Sequence, residues 1–271
     1  MVPFHHQYLL SDFLQSLLQG RDHVALENYS FSGLKGQTKV SRQGLCFFSS
    51  KVTLVFSCPS REVVMLLARR IFEKPEYQLG ELQVSPESIA EEEEVCFEGP
   101  SSKFICISPM VLLSPLDDSN AKKFISPESD YFSDLLYEST MSRMEQSGHY
   151  TPEQIASFYK FQVVPDQTYL NRIKSEEKKF ARVYPVFIEG KKMEVRGYTM
   201  PFTIFAEPEV QKFVFECGMG EMCHKGFGML DVANSAPHKR ARFLNMEEVT
   251  QQPQPPSTVP GSMPRVRREN S

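Results

Sequence analysis

The sequence has no apolar run that approaches 18 residues, so it predicts no segment that spans a membrane. Its first residues lack the basic start of a signal peptide and are interrupted by polar side chains. We therefore expect a cytoplasmic protein that makes no contact with a membrane. At 271 residues, of which 41% are hydrophobic, the chain is long enough for one large or two small globular domains.

Cysteine pairs of the C-x-x-C type are also missing. Cys46, Cys58 and Cys106 lie in apolar runs that are typical of buried strands. Cys217 and Cys223 lie close to a histidine, but no second ligand pair with zinc spacing follows them. The pattern predicts reduced thiols, no bound metal and no cofactor.

The strongly basic balance of many nucleic-acid-binding proteins is missing too, since the net charge is −4. The charge is unevenly distributed, however. Residues 35–70 contain seven basic side chains and one acidic side chain, and residues 172–196 contain eight basic and four acidic ones. Either region can be an ordinary solvated face, and together they permit RNA binding without requiring it.

Glycine is concentrated in one segment, which reads GMGEMCHKGFGM at residues 218–229. Glycine permits positive φ angles and the close approach of another chain. The segment is therefore either a helix end with a tight turn or a cradle for a phosphate backbone. It runs from a predicted helix at 208–217 to a predicted strand at 227–232. Walker and Rossmann loops run from strand to helix, and the G-K-[ST] ending is absent, which argues against a nucleotide-binding enzyme of either kind.

Hydrophobic periodicity predicts two successive series of elements. The second series has the order β-α-β-β-α-β, which is that of the ferredoxin-like fold, and the first matches the same order without its opening strand. The first series comprises a helix at 7–19, strand-like runs at 28–34, 39–48 and 51–58, a helix that begins after Ser60, and a strand at 77–84. The second comprises a strand at 103–113, a helix at 129–146, an extended run at 157–169, strands at 182–188 and 193–205, and the helix and strand around the glycine segment.

The pattern G-x-G-E-x-x-x-x-G-F-G-M resembles the signature loop of the CRISPR-associated repeat-processing endoribonucleases, the Cas-six family of the RAMP superfamily. Three further segments are similar to that family: His6-Gln7-Tyr8-x-Leu10, Tyr29-Ser30-Phe31-Ser32 and the run from Ser129 to Leu136. The glycine pattern is the only specific one of the four. Together they extend from residue 6 to about residue 232.

The resemblance implies an α+β fold with two tandem ferredoxin-like (RRM-like) βαββαβ domains, the first of which lacks its opening strand. The expected domains are residues 1–92 and 93–245, the second containing the glycine-rich loop, followed by a disordered tail at 246–271 that is rich in Pro, Gln and Ser. The acidic stretch at 87–99 marks the boundary. Family members have an apolar strand before the first helix, so a start codon assigned too late is the favoured explanation of the missing strand.

The resemblance also implies a reaction in which a 2′-hydroxyl of the RNA attacks its own 3′-phosphate, so that no metal is required. The protein must then supply a proton acceptor, a proton donor and a cation. His23 is the only histidine between the first helix and the Tyr29-Ser30-Phe31-Ser32 segment, where the family's catalytic histidine lies. The family's tyrosine and lysine are not matched, since Gln15 and Glu27-Asn28 stand in those regions. Lys35 or Lys39 is expected to provide the cation, and Tyr29 a hydrogen bond.

In the loop, the family implies contacts to the RNA backbone rather than chemistry. The RNA-binding residues expected there are Gly218, Gly220, His224, Lys225, Gly226 and Gly228. His5 and His6 are expected to have an ordinary role in the first helical turn. His149 and the basic stretch at 238–242 are expected to be solvated.

These inferences predict an endoribonuclease that cuts precursor CRISPR RNA within its repeats and leaves 2′,3′-cyclic phosphate and 5′-hydroxyl ends. The alternative is a catalytically inactive subunit that holds repeat RNA in a CRISPR effector complex. A general single-stranded RNA binder is a third hypothesis, but the RNP run of such domains is absent. The expected partner is CRISPR repeat RNA, with other Cas effector subunits as a further option, and the protein is expected to be a monomer or a homodimer.

Overall fold

The computed structural model describes residues 1–19, 28–114, 123–188, 190–234, 241–245 and 249. It is a mixed α+β structure with antiparallel strands. The helices are α1 (Gln7–Leu18), α2 (Arg61–Phe72), α3 (Phe132–Gln146), α4 (Pro152–Ser157), α5 (Gln167–Ser175) and α6 (Pro208–Cys217). The strands are β1 (Ser30–Phe31), β2 (Thr38–Val40), β3 (Leu45–Phe47), β4 (Phe56–Ser57), β5 (Tyr77–Leu79), β6 (Leu82–Val84), β7 (Ile89–Glu92), β8 (Ser101–Cys106), β9 (Gln162–Pro165), β10 (Ala181–Ile188), β11 (Lys191–Tyr198), β12 (Pro201–Phe205), β13 (Leu230–Val232) and β14 (Ala241–Leu244).

The second half of the chain is organised around a four-stranded antiparallel sheet with the strand order β13-β8-β12-β9. Alternate residues of these strands point to one face, where they pack with α3 and α6. Phe104, Phe202 and Ile204 from the sheet meet Leu136 from α3 and Val214 from α6 in this core. Apart from the short helix α4 after α3 and the insertion between β9 and β12, the chain order is β8-α3-β9-β12-α6-β13.

The insertion consists of α5 and the long hairpin of β10 and β11. The hairpin pairs over its full length, from Ala181 opposite Tyr198 to Ile188 opposite Lys191. Its buried face forms a small second core in which Tyr184, Val186 and Val195 surround Phe227 of the glycine-rich segment. The hairpin is thereby attached to the segment that the sequence singles out.

The first half consists of α1 and α2 packed on short two-stranded ladders. Leu10, Leu14 and Leu18 recur at helical spacing on α1 and are fully buried against Tyr29 and Phe31. Helix α2 is capped by Ser60, whose side chain accepts a hydrogen bond from the Val63 N–H. The described residues of this half contain no four-stranded sheet.

Five strand predictions need correction. Residues 39–48 are not one strand but the hairpin β2–β3, and residues 193–205 are divided between β11 and β12, which pair with different strands. The run at 51–58 contributes only β4 to a ladder, with a single further bridge between Thr53 and Lys35. Residues 77–84 are not one strand but the hairpin β5–β6, which turns at Gly80 with φ +61°. Residues 157–169 are extended only at β9, because Asp166 then caps α5 by accepting a hydrogen bond from the Tyr169 N–H. The helix predicted at 208–217 is confirmed as α6.

The acidic stretch at 87–99, which the sequence predicts to be a domain boundary, contains a strand. Residues 89–92 form β7, which pairs with β14 near the C-terminal end of the described chain. Glu91 contacts both Arg61 of α2 and Arg242 of β14, at 2.6 and 3.5 Å. Ala241 and Arg242, the last two residues of the basic stretch at 238–242, therefore belong to strand β14.

Two further expectations concern the chain ends. The first domain is expected to lack its opening strand before α1. In that region Val2 is buried and exchanges backbone hydrogen bonds of 3.0 and 2.8 Å with Leu45 of β3. The predicted tail at 246–271 lies outside the described residues except for Val249, which is buried.

Among the residues that the structure describes, no helix is long and apolar enough to cross a bilayer. All six cysteines are free thiols.

Candidate functional site

The glycine-rich loop, residues 218–229, connects α6 to β13 and needs its glycines for steric reasons. All four have positive φ, at +78°, +84°, +89° and +66° for Gly218, Gly220, Gly226 and Gly228. A Cβ atom at Gly228 would lie 2.0 Å from the Met219 oxygen, and one at Gly220 would lie 2.5 Å from the Val111 oxygen. The glycines are buried against protein atoms, so their direct effect is to let the loop fold into this shape.

The loop touches all three hydrophobic cores. Met219 belongs to the core of the four-stranded sheet, and Phe227 to the core of the β10–β11 hairpin, where its ring lies edge-on to Tyr184 at 5.6 Å. Gly226 lies against Phe31 of the first half, which a Cβ atom would approach to 2.7 Å. Residues more than 180 positions apart in the sequence therefore fix the position of the loop.

Arg143 of α3 holds the start of the loop. Its guanidinium donates hydrogen bonds to the Cys217 oxygen at 2.7 Å and to the Gly218 oxygen at 2.8 Å, and it lies over the Phe213 ring. These oxygens are at the C-terminal end of α6, where a cation is favoured by the partial negative charge of the helix. Arg143 therefore ties α3 to the loop.

Tyr29, which was expected to offer a hydrogen bond to the RNA, is buried. Its hydroxyl donates to the His224 backbone oxygen at 3.2 Å and also interacts with the Gln15 side chain. Burial raises the pKa of this hydroxyl to about 12, so it stays protonated. The contact makes Tyr29 a support for the middle of the loop.

His224 lies in the loop within the electrostatic influence of two cations, Lys225 and Arg143. Burial, followed by the charges of Lys225 and Arg143, lowers the pKa of its imidazole to about 4. The ring is therefore neutral near pH 7, and it carries no charge that would attract a phosphate.

Lys225 reaches from the loop to helix α1. Its ammonium nitrogen lies 3.4 Å from the Gln15 side-chain oxygen. Because Gln15 also interacts with the Tyr29 hydroxyl, one glutamine links the loop lysine to the start of the first strand. This contact places the Lys225 ammonium group at the Gln15 end of α1.

Lys35 and Lys39 do not lie with Lys225 at the Gln15 end of α1 but follow the chain toward its His6 end. The chain from Tyr29 to Leu34 runs back along α1, since Tyr29 meets Gln15 whereas the Leu34 N–H donates to His6 at 3.0 Å. Gln15 is nine positions after His6, which corresponds to roughly 13 Å at the rise of an α-helix. Lys35 follows Leu34 at the His6 end, and Lys39 is exposed on β2.

His23, the expected catalytic residue, lies outside the described residues, as do its neighbours 20–27. Both flanks of that segment are held. Arg70 of α2 donates to the Gln19 oxygen at 2.9 Å and also to the Leu17 oxygen at the end of α1. On the other side, Tyr29 is fixed by its contact with His224.

His6 has more than the ordinary role that the sequence predicts. Its Nε2 atom accepts the hydrogen bond from the Leu34 N–H, and its Nδ1 atom lies 3.2 Å from the Pro3 oxygen, to which it donates. These two bonds require the neutral ring, and burial lowers the pKa accordingly. His6 therefore joins the N-terminal residues to the strand that returns along α1.

Sequence reasoning missed a row of polar residues on α1. Gln7, Ser11 and Gln15 recur every four positions, which places them on one side of the helix. Gln7 packs against Gly226 and Gln15 reaches Lys225, so this side faces the loop. The signal was present in the sequence as polar residues at helical spacing within an apolar helix.

A small niche opens between α1, β10 and the loop. Its volume is about 10 Å³, which suits a single water-sized group. The lining residues are Tyr8, Ser11, Asp12, Pro185, Val186, Phe187 and Lys225. Within the described part of the chain, no three His, Cys, Asp or Glu side chains come together as a metal site would require.

Comparison with known proteins gives a consistent result for this architecture. The family model "CRISPR associated protein Cas6, C-terminal" matches residues 90–232, which is more than half of the chain and includes the glycine-rich loop. A search of curated proteins found no match to the sequence.

Solved structures share the fold over most of the chain. The product of a Cas6-related gene from Pyrococcus furiosus aligns with a TM-score of 0.69 and 18% identity, covering 87% of this chain and 93% of that one. A RAMP protein described as binding different RNA substrates aligns with a TM-score of 0.67 and 19% identity, covering 86% and 94%. A Cas6 product complex aligns with a TM-score of 0.56 and 13% identity, covering 85% and 94%.

Proposed function

Because the chain belongs to the CRISPR-associated Cas6 family, we propose that it is an endoribonuclease that cuts precursor CRISPR RNA within its repeats. Family membership suggests the processing of repeat RNA. The observation that carries the proposal is the loop itself. The family match includes it, and its lysine extends to the helix that precedes the His23 segment.

The proposed reaction uses a nucleophile that belongs to the RNA. A 2′-hydroxyl loses its proton and attacks the adjacent phosphorus, and the bond from phosphorus to the 5′-oxygen breaks. The products are a 2′,3′-cyclic phosphate and a 5′-hydroxyl, which takes up one proton. The protein must accept the first proton, donate the second and stabilise the charge on the phosphoryl oxygens, and none of these tasks requires a metal ion.

We assign the proton transfer to His23. The imidazole pKa near neutrality suits both accepting and donating a proton. The chain supports this assignment, because His23 is four residues after Gln19 and six before Tyr29, which limits its distance from the Tyr29 Cα atom to roughly 22 Å. On one flank, Gln19 follows α1, whose Gln15 contacts Lys225 of the loop, and on the other flank Tyr29 contacts His224 of the loop.

We assign the cation to Lys225 ahead of Lys35 and Lys39. Its contact with Gln15 is at the end of α1 from which the His23 segment departs. Lys35 and Lys39 follow the strand toward the opposite end of α1, where they are suited to longer-range attraction of the RNA. Tyr29 acts in this proposal as a positioning residue, because its hydroxyl is engaged by the loop.

We further propose that both halves are ferredoxin-like domains, with residues 1–92 in the first and 93–245 in the second. The order β8-α3-β9-β12-α6-β13 and the strand order β13-β8-β12-β9 support this for the second half. For the first half the support is the shared fold with Cas6-related structures over most of the chain.

The test is cleavage of CRISPR repeat RNA from the source organism in the presence of EDTA. The unaltered protein is compared with His23→Ala and with His149→Ala, which removes an exposed histidine from another loop. We expect one cut ending in a cyclic phosphate, lost in His23→Ala with RNA binding retained, and unchanged in His149→Ala.

Three other outcomes separate the alternatives. Cutting that survives His23→Ala would keep the nuclease and remove His23 from its site. Tight binding without cutting by any of the proteins would favour the inactive RNA-holding subunit. A protein that neither binds nor cuts the repeat RNA would contradict the proposed function.

A further inference from the structure

Phe187 is an exposed aromatic side chain beside the glycine-rich loop. It lies on β10, 38% of it is exposed, and it lines the same niche as Lys225. Side chains alternate between the two faces of a strand, so Phe187 points away from the core that Val186 forms with Phe227. A single exposed phenylalanine is common on protein surfaces, so its surroundings must decide whether it is a binding site.

The ring of Tyr8 lies beside Phe187. The two ring centroids are 5.2 Å apart and the ring planes are tilted by 54°, as in other favourable aromatic pairs. Tyr8 is only partly exposed on α1, so it supports Phe187 from the side of the helix. A ligand that stacks on a ring already held in place loses less entropy on binding than one that must order the ring first.

Two lysines from different elements lie near Phe187. Lys192 is directly opposite it in the β10–β11 register and is exposed, so it shares the outer face of the hairpin with the ring. Lys225 belongs to the loop and lines the same niche, whose lining also contains one acidic residue, Asp12. Aromatic rings among cations are typical of surfaces that bind single-stranded nucleic acid, because bases stack on the rings and phosphates pair with the cations.

We propose that Phe187, supported by Tyr8, is a stacking platform for one base of the bound RNA, with Lys192 and Lys225 pairing to phosphates of the same strand. The volume of the niche is about 10 Å³, which is too small for a base, so the base rests on the exposed part of the Phe187 ring. The positive charge of the two lysines complements a polyanion, which favours RNA over an apolar peptide as the occupant. This inference rests on the proposed function, since it assumes that the ligand is RNA.

The stacked base belongs to a nucleotide close to the cut. The proposed function assigns Lys225 to the phosphoryl oxygens at the cut, and Lys225 and Phe187 line one niche. A base stacked on Phe187 therefore holds the neighbouring nucleotide in place while the 2′-hydroxyl approaches phosphorus. Because every base has a π-face, the platform accepts any base and fixes position rather than sequence.

The test combines a protein change with a change in the RNA. The repeat RNA carries a 2′-deoxy nucleotide at the cut, which prevents cleavage, and an abasic nucleotide that is moved along the sequence. Affinities are measured for the unaltered protein, for Phe187→Leu, which keeps an apolar side chain against Tyr8 but has no π-face, and for Phe187→Trp. The matched control is Phe205→Leu, because Phe205 is 44% exposed and precedes α6, whereas the loop follows that helix.

We expect an abasic position next to the cut to weaken binding to the unaltered protein by roughly 5- to 100-fold, the range for one stacked base. Phe187→Leu should weaken binding of the intact RNA by roughly 5-fold or more and be insensitive to that abasic position, because the same contact is already lost. Phe187→Trp should retain both the affinity and the sensitivity, and Phe205→Leu should behave like the unaltered protein. Lys192→Ala should reduce the slope of log affinity against log salt concentration by about 0.7, whereas Phe187→Leu should leave that slope unchanged.

Three results would overturn the inference while leaving the proposed function intact. One is an abasic scan in which no position next to the cut weakens binding, a test that requires no variant. Another is a Phe187→Leu protein that binds the intact RNA as tightly as the unaltered protein does. The third is a Phe187→Leu protein that stays sensitive to the same abasic position, which would mean that the base stacks elsewhere. Failure of the unaltered protein to bind repeat RNA would contradict both this inference and the proposed function.

Discussion

The glycine-rich loop and the β2–β3 hairpin both carry residues that the sequence assigns to RNA, but the structure holds them very differently. The loop packs into three hydrophobic cores, and Arg143, Tyr29 and Gln15 anchor it. The hairpin pairs over only three residues per strand, and Lys39 is exposed on it. A cation fixed by packing can act at one phosphate, whereas an exposed lysine contributes mainly to the general field that attracts RNA.

The largest effect is expected from Gly228→Ala, which tests whether the loop depends on its tight packing. The new Cβ atom would lie 2.0 Å from the Met219 oxygen at a residue with φ +66°. The clash and the left-handed backbone together should lower the free energy of unfolding by about 4 kcal/mol. Urea denaturation measures the change.

Gly148→Ala is the matched control for that variant. Gly148 has φ +71°, but a Cβ atom there would have nothing within 4 Å. Its cost should therefore be only that of the backbone conformation, about 1 kcal/mol. Equal losses in the two variants would mean that the packing of the loop is not what its glycines provide.

A smaller effect should follow from the neutral imidazole of His224. Its folded pKa of about 4 is below the usual 6.5, so the unfolded chain binds a proton first as the pH falls. The stability from His224 is present above pH 6.5 and is lost as the pH falls through about 4, by on the order of 3 kcal/mol in all.

Urea denaturation at pH 7, 5 and 4 should show a smaller loss for His224→Gln, which cannot titrate. His5 and His6 also have lowered pKa values and are present in both proteins, so the difference isolates His224. Parallel pH profiles of the two proteins would contradict the burial of the neutral ring.

Sequence periodicity predicted elements whose own residues determine them. Helix α6 was predicted at its observed bounds, because apolar residues at helical spacing follow a proline in the first turn. The order of helix, glycine loop and strand was predicted for the same reason. The hairpin at 77–84 was missed although Gly80, at its turn, was a usable signal.

Long-range partners could not be predicted in the same way. The acidic run at 89–94 looks like a linker until β14 pairs with it, about 150 residues later in the chain. The KVTLVFSC run has strong strand propensity, but only β4 finds a ladder partner among the described residues. Strand formation depends on what lies alongside, which local composition does not encode.

In the candidate site too, local features were predicted from the sequence and long-range contacts were not. The glycine positions and Lys225 were identified from the sequence, but the buried surroundings of the glycines were not. Gln15 was noted only as a departure from the family pattern, whereas in the structure it joins Lys225 to Tyr29. The contact between Gln15 and Lys225 joins residues that are 210 positions apart, and only the folded chain brings them together.

The most direct test of the account is the single-turnover cleavage rate of repeat RNA at saturating protein, for Lys225→Ala and Lys39→Ala. If the packed loop supplies the cation, Lys225→Ala should slow cleavage by about 100-fold. Lys39→Ala should stay within roughly 3-fold of the unaltered protein, because it changes only the general field around the RNA. A large loss in Lys39→Ala with near-normal cleavage by Lys225→Ala would contradict the account and return the cation to the hairpin.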